Sequence, residues 1–224
     1  MERSELALRI LGAVETVVGS GPRGLHEPDI GQAEIELTRD CLLSGYVSSV
    51  GTYVDKFESQ LSGFVGASDV VATVNGTAAL HLALLAVSVE QDDEVLVPSM
   101  TFVATVNSVT YCGAHPHFID IEDTSWAIDA TRLEEYLDSL CVKTSAGLIN
   151  TRTGRRVRAV VVVHLLGFPA AIIDICRVAK KFGIAVVEDA AGALGARVGG
   201  QHVGTFGDVG VLSFNGNKMV TSGG

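Results

Sequence analysis

Positive charge is the first thing this sequence is short of: 16 Lys and Arg stand against 26 Asp and Glu, for a formal net charge of -10. A nucleic-acid backbone or an anionic membrane surface is held mainly by clustered Lys and Arg, so this balance argues against non-specific binding to either. A phosphorylated small ligand must then be met locally, by backbone N–H groups and a few polar side chains. Metal-ligand spacing is also missing. Cys41, Cys112, Cys141 and Cys176 stand far apart, with no CxxC pair and no histidine partner, so no metal is expected and they read as reduced core thiols. No Gly-rich loop ends in Gly-Lys-Ser or Gly-Lys-Thr, which removes a P-loop nucleotide hydrolase. The charged start Met1-Glu2-Arg3-Ser4-Glu5 lacks a basic stretch followed by an apolar run, and no apolar stretch has the length and purity of a membrane span. A cytoplasmic protein is the expectation.

What is present is a hydrophobic content of 47% and 25 glycines in 224 residues, enough for one substantial core with many tight turns. From about residue 67 onward, short apolar β-branched runs alternate with helical patterns, the signature of an α/β fold with a largely parallel sheet covered by helices. Strands are expected at Val70 to Val74, Glu94 to Val97, His117 to Asp120, Ala159 to His164, Ile184 to Glu188 and Val209 to Phe214. Thr77 to Val87 and Ala170 to Phe182 carry apolar residues at helical spacing, as do Val54, Phe57, Leu61 and Phe64 farther upstream. A Gly/Ser-rich loop, Ser44 to Gly51, precedes that last stripe, and loops on a rigid scaffold often carry binding groups.

Three segments carry candidate chemistry. Asn75-Gly76-Thr77-Ala78-Ala79-Leu80 follows a strand and opens a helix, which offers free N–H groups and the positive helix end to a phosphate; small residues also serve packing at such turns. Val186-Val187-Glu188-Asp189-Ala190-Ala191 places two carboxylates at the C-terminal end of an apolar strand, the edge where open α/β sheets bind ligands. An acid there can be a solvated loop group, a magnesium ligand or the partner of a pyridinium nitrogen. Leu212-Ser213-Phe214-Asn215-Gly216-Asn217-Lys218-Met219 ends a strand and sets a lysine among small polar residues, where a lone lysine is usually a solvated charge.

Taken together and in order, these segments resemble the sugar aminotransferases of the DegT/StrS type, a fold-type-I pyridoxal-phosphate family. The likeness runs from His26-Glu27-Pro28 to Gly224 and includes Ser44 to Gly51, Pro98-Ser99-Met100-Thr101-Phe102-Val103-Ala104-Thr105 and the Lys218 segment. The resemblance implies that Lys218 holds the cofactor as a Schiff base and that Asp189 pairs with its ring nitrogen. It implies further that Phe102 stacks on the ring and that Gly76, Thr77, Ala78 and Ser213 hold the phosphate. An aromatic at such a junction can instead simply fill core. Relatives often carry His or Gln three residues after the aspartate, where this chain has Gly192. His164, ending its strand, reads as a packed or hydrogen-bonded histidine.

The same resemblance implies residues 67–224 as the pyridoxal-phosphate-binding large domain, cut short at its C-terminus with the small domain missing, and residues 1–66 as a helical segment bearing a substrate loop. Tyr46, Ser48 and Ser49 are the candidate substrate contacts there. The implied reaction is ping-pong, from an amino acid, glutamate by preference, to a nucleotide-linked 4-keto-6-deoxy sugar, in a homodimer. The segments most resemble the branch that aminates C4 of UDP-linked N-acetylhexosamines of the bacillosamine or legionaminic kind, while perosamine-type and 3-amino-sugar synthases share most of these motifs. A sugar dehydratase of the same fold would carry histidine in place of Lys218, and a silent interaction module would not need Lys218 and Asp189 intact. Gly19-Ser20-Gly21-Pro22-Arg23-Gly24 matches a dinucleotide fingerprint, but an amphipathic helix with Leu6, Ile10, Val14 and Val17 precedes it where a strand is required.

Overall fold

The computed structural model describes residues 3–22 and 28–222. His26 and Glu27 of the resemblance, Gly24 of the rejected fingerprint, and Gly223 and Gly224 lie outside the described residues. Three helices come first: α1 (Arg3–Val18), α2 (Gln32–Ser44) and α3 (Thr52–Val65). Then follow α4 (Gly76–Ala86), β1 (Glu94–Pro98), α5 (Val103–Tyr111), β2 (His115–Ile119) and α6 (Ala130–Leu140). A hairpin, β3 (Cys141–Thr144) and β4 (Gly147–Asn150), leads to β5 (Val157–Val163), α7 (Ile172–Phe182) and β6 (Ala185–Asp189). A second small hairpin, β7 (Arg197–Val198) and β8 (Gln201–His202), precedes β9 (Val209–Val211).

The central sheet has the order β2-β1-β5-β6-β9, and every pairing in it is parallel. Strands buried on both faces need apolar side chains at every position, and Val160, Val161 and Val162 of β5 are fully buried accordingly. Alternate residues feed opposite layers. Val160, Val162 and Val186 pack with Leu133 and Leu137 of α6 and Ile175 and Val178 of α7. Val161, Val163 and Val187 pack with Leu80 and Leu84 of α4 and Val109 of α5. Asp189, in step with Val187, therefore belongs to the α4/α5 side of the sheet, and Glu188 to the α6/α7 side.

The expected strands and helices are present with shifted ends, apart from one. Val70 to Val74 forms no ladder; instead the Ala72 N–H donates to Glu58 Oε1 at 2.7 Å, so this stretch leans on α3. A groove of about 1050 Å³ separates it from β9, and a strand exists only where a neighbour completes its hydrogen bonds. The predicted final strand also contracts to Val209–Val211. The thiols, expected in the core, are unpaired and only partly buried. Burial pushes Cys141 and Cys176 up to about 11. Among the described residues no helix is long and apolar enough to cross a membrane.

Candidate active site

The C-terminal ends of the parallel strands gather the candidate residues. Val163, Asp189 and Val211 stand side by side in the ladders of β5, β6 and β9, so the strand ends form one lip. Asp189 closes β6 and is buried, at 6% exposure. Its Oδ2 accepts from the Thr105 hydroxyl at 2.7 Å and its Oδ1 from the Ala191 N–H at 3.2 Å. Thr105 in turn accepts from the Thr101 hydroxyl at 2.8 Å. Nothing in the order of the chain announces this contact, because Thr105 and Asp189 lie 84 positions apart.

On the same side, α4 points its first turn at the lip. Asn75 caps the helix by accepting the Ala78 N–H at 2.9 Å. Ala78, a candidate phosphate ligand, thus has its N–H already engaged, and the Asn75 cap is the competing interaction. The N–H groups of Gly76 and Thr77 have no intrahelical acceptor and no other partner among the described residues. Ser213 sits against this turn: a Cβ on Gly76 would come 3.1 Å from Ser213 Cβ and 3.2 Å from its Oγ. The Ser213 hydroxyl has no hydrogen-bond partner among the described residues. Two free N–H groups, a helix N-terminus and a hydroxyl around a glycine with no room for a side chain fit a phosphate group, so the residues present suit the cofactor expected from the sequence.

Beyond Ser213 the chain closes a loop on the Phe214 carbonyl, which accepts from the Ser222 N–H at 3.0 Å and the Thr221 hydroxyl at 2.9 Å. Lys218 rides on that loop, half-buried, its backbone N–H bonded to Asn215 O at 2.8 Å and its ammonium without a carboxylate partner among the described residues. Lys181 contrasts with it. Hydrogen bonds to Asp138 and Glu134 hold its ammonium above the usual lysine range, so it is a poor nucleophile.

Phe102, at the start of α5, is 73% exposed, so core filling does not explain it. Gly192 is open, with nothing within 4 Å of a built Cβ. His164 is buried and bonded as expected: its Nδ1 accepts the Ala170 N–H at 3.1 Å and its Nε2 lies 3.0 Å from Glu188 Oε2. Tyr46, Ser48 and Ser49 are exposed and form no hydrogen bond with the Asp189 group. The loop that carries them is nonetheless anchored nearby through α3, whose Phe57 ring meets Phe214 edge-on with centroids 5.0 Å apart.

With this geometry in place, known proteins give a consistent picture. GDP-perosamine synthase of Escherichia coli O157:H7 is 35% identical over 199 residues, covering 89% of this chain and 50% of that protein. A UDP-N-acetyl-3-dehydro-alpha-D-glucosamine 3-aminotransferase of Acidithiobacillus ferrooxidans is 38% identical over 75% of this chain and 41% of its own length. The solved aminotransferase of Psychrobacter cryohalolentis superposes with a TM-score of 0.78 at 31% identity, over 91% of this chain and 47% of that one. The chain thus spans about half the length of the curated relatives it matches. The strand-end acid, the glycine-serine cradle and the lysine loop all fall within residues 28–224, the stretch matched by the family model, and on that match the chain belongs to the DegT/DnrJ/EryC1/StrS aminotransferase family, whose cofactor is pyridoxal phosphate.

Proposed function

We propose that this chain is the cofactor-binding part of an aminotransferase that moves an amino group from an amino acid, glutamate by preference, to a nucleotide-linked 4-keto-6-deoxy sugar. In this reading residues 67–224 form the cofactor unit and residues 1–66 carry the sugar-facing loop. The enzyme works in the cytoplasm as a homodimer. The observation that carries the reading is the convergence of Asp189, Gly76 and Ser213 at one end of the parallel sheet, with Lys218 on the loop that leaves Ser213.

When bound, pyridoxal phosphate supplies an electron sink and a covalent carrier for the amino group. The chain does the rest. Gly76 and Thr77 N–H groups and the Ser213 hydroxyl hold the phosphate, fixing the register of the ring. Asp189 would accept a hydrogen bond from the ring nitrogen and so keep it protonated. Phe102 covers one face of the ring and limits water there. Lys218 Nζ would hold the cofactor at rest and, when free, would serve as the general acid and base that moves a proton at the donor carbon. Tyr46, Ser48 and Ser49 meet the sugar nucleotide.

Borohydride reduction of the full-length protein loaded with pyridoxal phosphate, followed by peptide mapping, tests the reading. A stable adduct on Lys218, absent from Lys218→Ala, is the expected result. An adduct on Lys56, Lys180 or Lys181 instead would overturn the assignment.

A further inference from the structure

Thr105 is a fully buried hydroxyl inside a helix, where threonine commonly bonds back to the carbonyl one turn earlier. It does not do so here. A hydroxyl has a single proton, and in Thr105 that proton goes to Asp189 Oδ2 at 2.7 Å, while its lone pair takes the Thr101 proton at 2.8 Å. The chain Thr101, Thr105, Asp189 therefore has one direction, from the start of α5 across to the end of β6. Thr101 directly precedes Phe102, so the element presenting the aromatic face and the carboxylate share one hydrogen-bonded frame.

We infer that Thr105 is a positioning residue, acting through Asp189 to set the orientation in which the carboxylate receives the cofactor's ring nitrogen. The inference rests on the proposed role of Asp189. The torsion that turns a carboxylate about its Cβ–Cγ bond is broad and weakly restrained by the side chain itself. Asp189 has one donor for each oxygen, and of these the Thr105 bond is the shorter, at 2.7 Å against 3.2 Å for the Ala191 N–H. Removing it leaves Oδ2 buried against a methyl group, free to turn toward another donor and away from the ring.

The test measures binding to the full-length apoprotein of pyridoxal phosphate and of its analogue with C–H in place of the ring nitrogen. Thr105→Val keeps the shape and removes the hydroxyl. It is expected to weaken pyridoxal phosphate about tenfold, the scale of one hydrogen bond to a charged group, with the analogue moved far less. Thr105→Ser should restore the difference between the two ligands. Equal weakening of both, or no weakening of either, overturns the inference and makes Thr105 a packing residue. Asp189→Asn is measured in parallel: if it too fails to separate the ligands, the role of Asp189 is wrong, and if it separates them while Thr105→Val does not, only the inference fails. Should Thr105→Val not fold, Thr101→Val carries the test, with about a threefold separation expected on loss of a neutral hydrogen bond and none overturning the inference.

Discussion

Gly76 shows how much a single missing Cβ can matter. Its backbone has no left-handed requirement and alanine is a good residue in a first helical turn, but the methyl must push Ser213 aside; the two effects oppose, so Gly76→Ala should fold with thermal stability near that of the native protein. The added methyl would press on Ser213, 3.1 Å from its Cβ, in the space a phosphate needs. A loss of about tenfold in pyridoxal-phosphate affinity is therefore expected, read by titration calorimetry beside a melting curve. A variant that binds normally would move the phosphate site elsewhere. The same turn marks what one-dimensional reading can reach. Gly76, Ser213, Asp189 and Lys218 stand out as candidates because each belongs to a short pattern of strand, turn and small residues, and their proposed roles come from the ordered resemblance of those patterns to the family. For Ala78 the sequence carries a second signal, an Asn just before a helix, which announces a cap that takes its N–H. Thr105 was invisible as a partner, because its contact forms only when α5 and β6 pack.

Among the elements, β5 and β6 are the most legible, through the short, valine-rich apolar runs 159–163 and 184–187. Val70 to Val74 looked like them and is not a strand, because composition measures burial whereas a strand also needs a neighbour. Neither α5 nor α6 stood out in the sequence, although Asp129 caps α6 through the Thr131 and Arg132 N–H groups. The end of β6 carries a second device on its other face. Burial alone would raise the Glu188 carboxyl, but hydrogen bonds from His164 and from the Gly207 and Gly204 N–H groups outweigh it and hold the group below the usual range. Phe206 N–H adds a further donor at 2.6 Å, so one carboxylate ties β5, β6 and the approach to β9 together. A group depressed in the folded state contributes stability above its unfolded value and loses it as pH falls through the folded one. Glu188→Gln should thus cost about 3 kcal/mol at pH 7, the upper scale for hydrogen bonds to a buried charged group. The gap to the native protein should narrow as pH falls through the ordinary carboxylate range, near about 4.3, and below it. Denaturant melts of the full-length protein across that range check both parts; a gap independent of pH would mean that the Glu188 carboxyl is not ionised in the fold.

At the scale of the whole molecule, the N-terminal helices are joined to the sheet by few threads. Tyr53 donates to Asp40 at 2.6 Å and so joins α3 to α2, and Arg197 reaches the Phe64 carbonyl at 3.0 Å. Phe57 meets Phe214. The last of these sets the position of the Ser44 to Gly51 loop. At a rise of about 1.5 Å per residue, the loop ends roughly 10 Å along α3 from Phe57, which meets Phe214 at the start of the Lys218 loop. A substrate spanning a nucleotide and a hexose covers such a distance, whereas a small amino donor does not. The loop is also held in shape by its own ends: a Cβ on Gly51 would lie 3.1 Å from Tyr46 Cβ, and the Tyr46 N–H bonds to Ser44 Oγ at 3.2 Å. Ser48 and Ser49 are left exposed at its tip. Replacing both with alanine should raise the KM for the nucleotide keto sugar about tenfold, on the loss of two modest hydrogen bonds. The cofactor spectrum and the half-reaction with glutamate should stay unchanged, because Gly76, Ser213 and Asp189 are untouched. If both half-reactions fall together, the loop works as a strut between α2 and α3, and the sugar must be met by other residues.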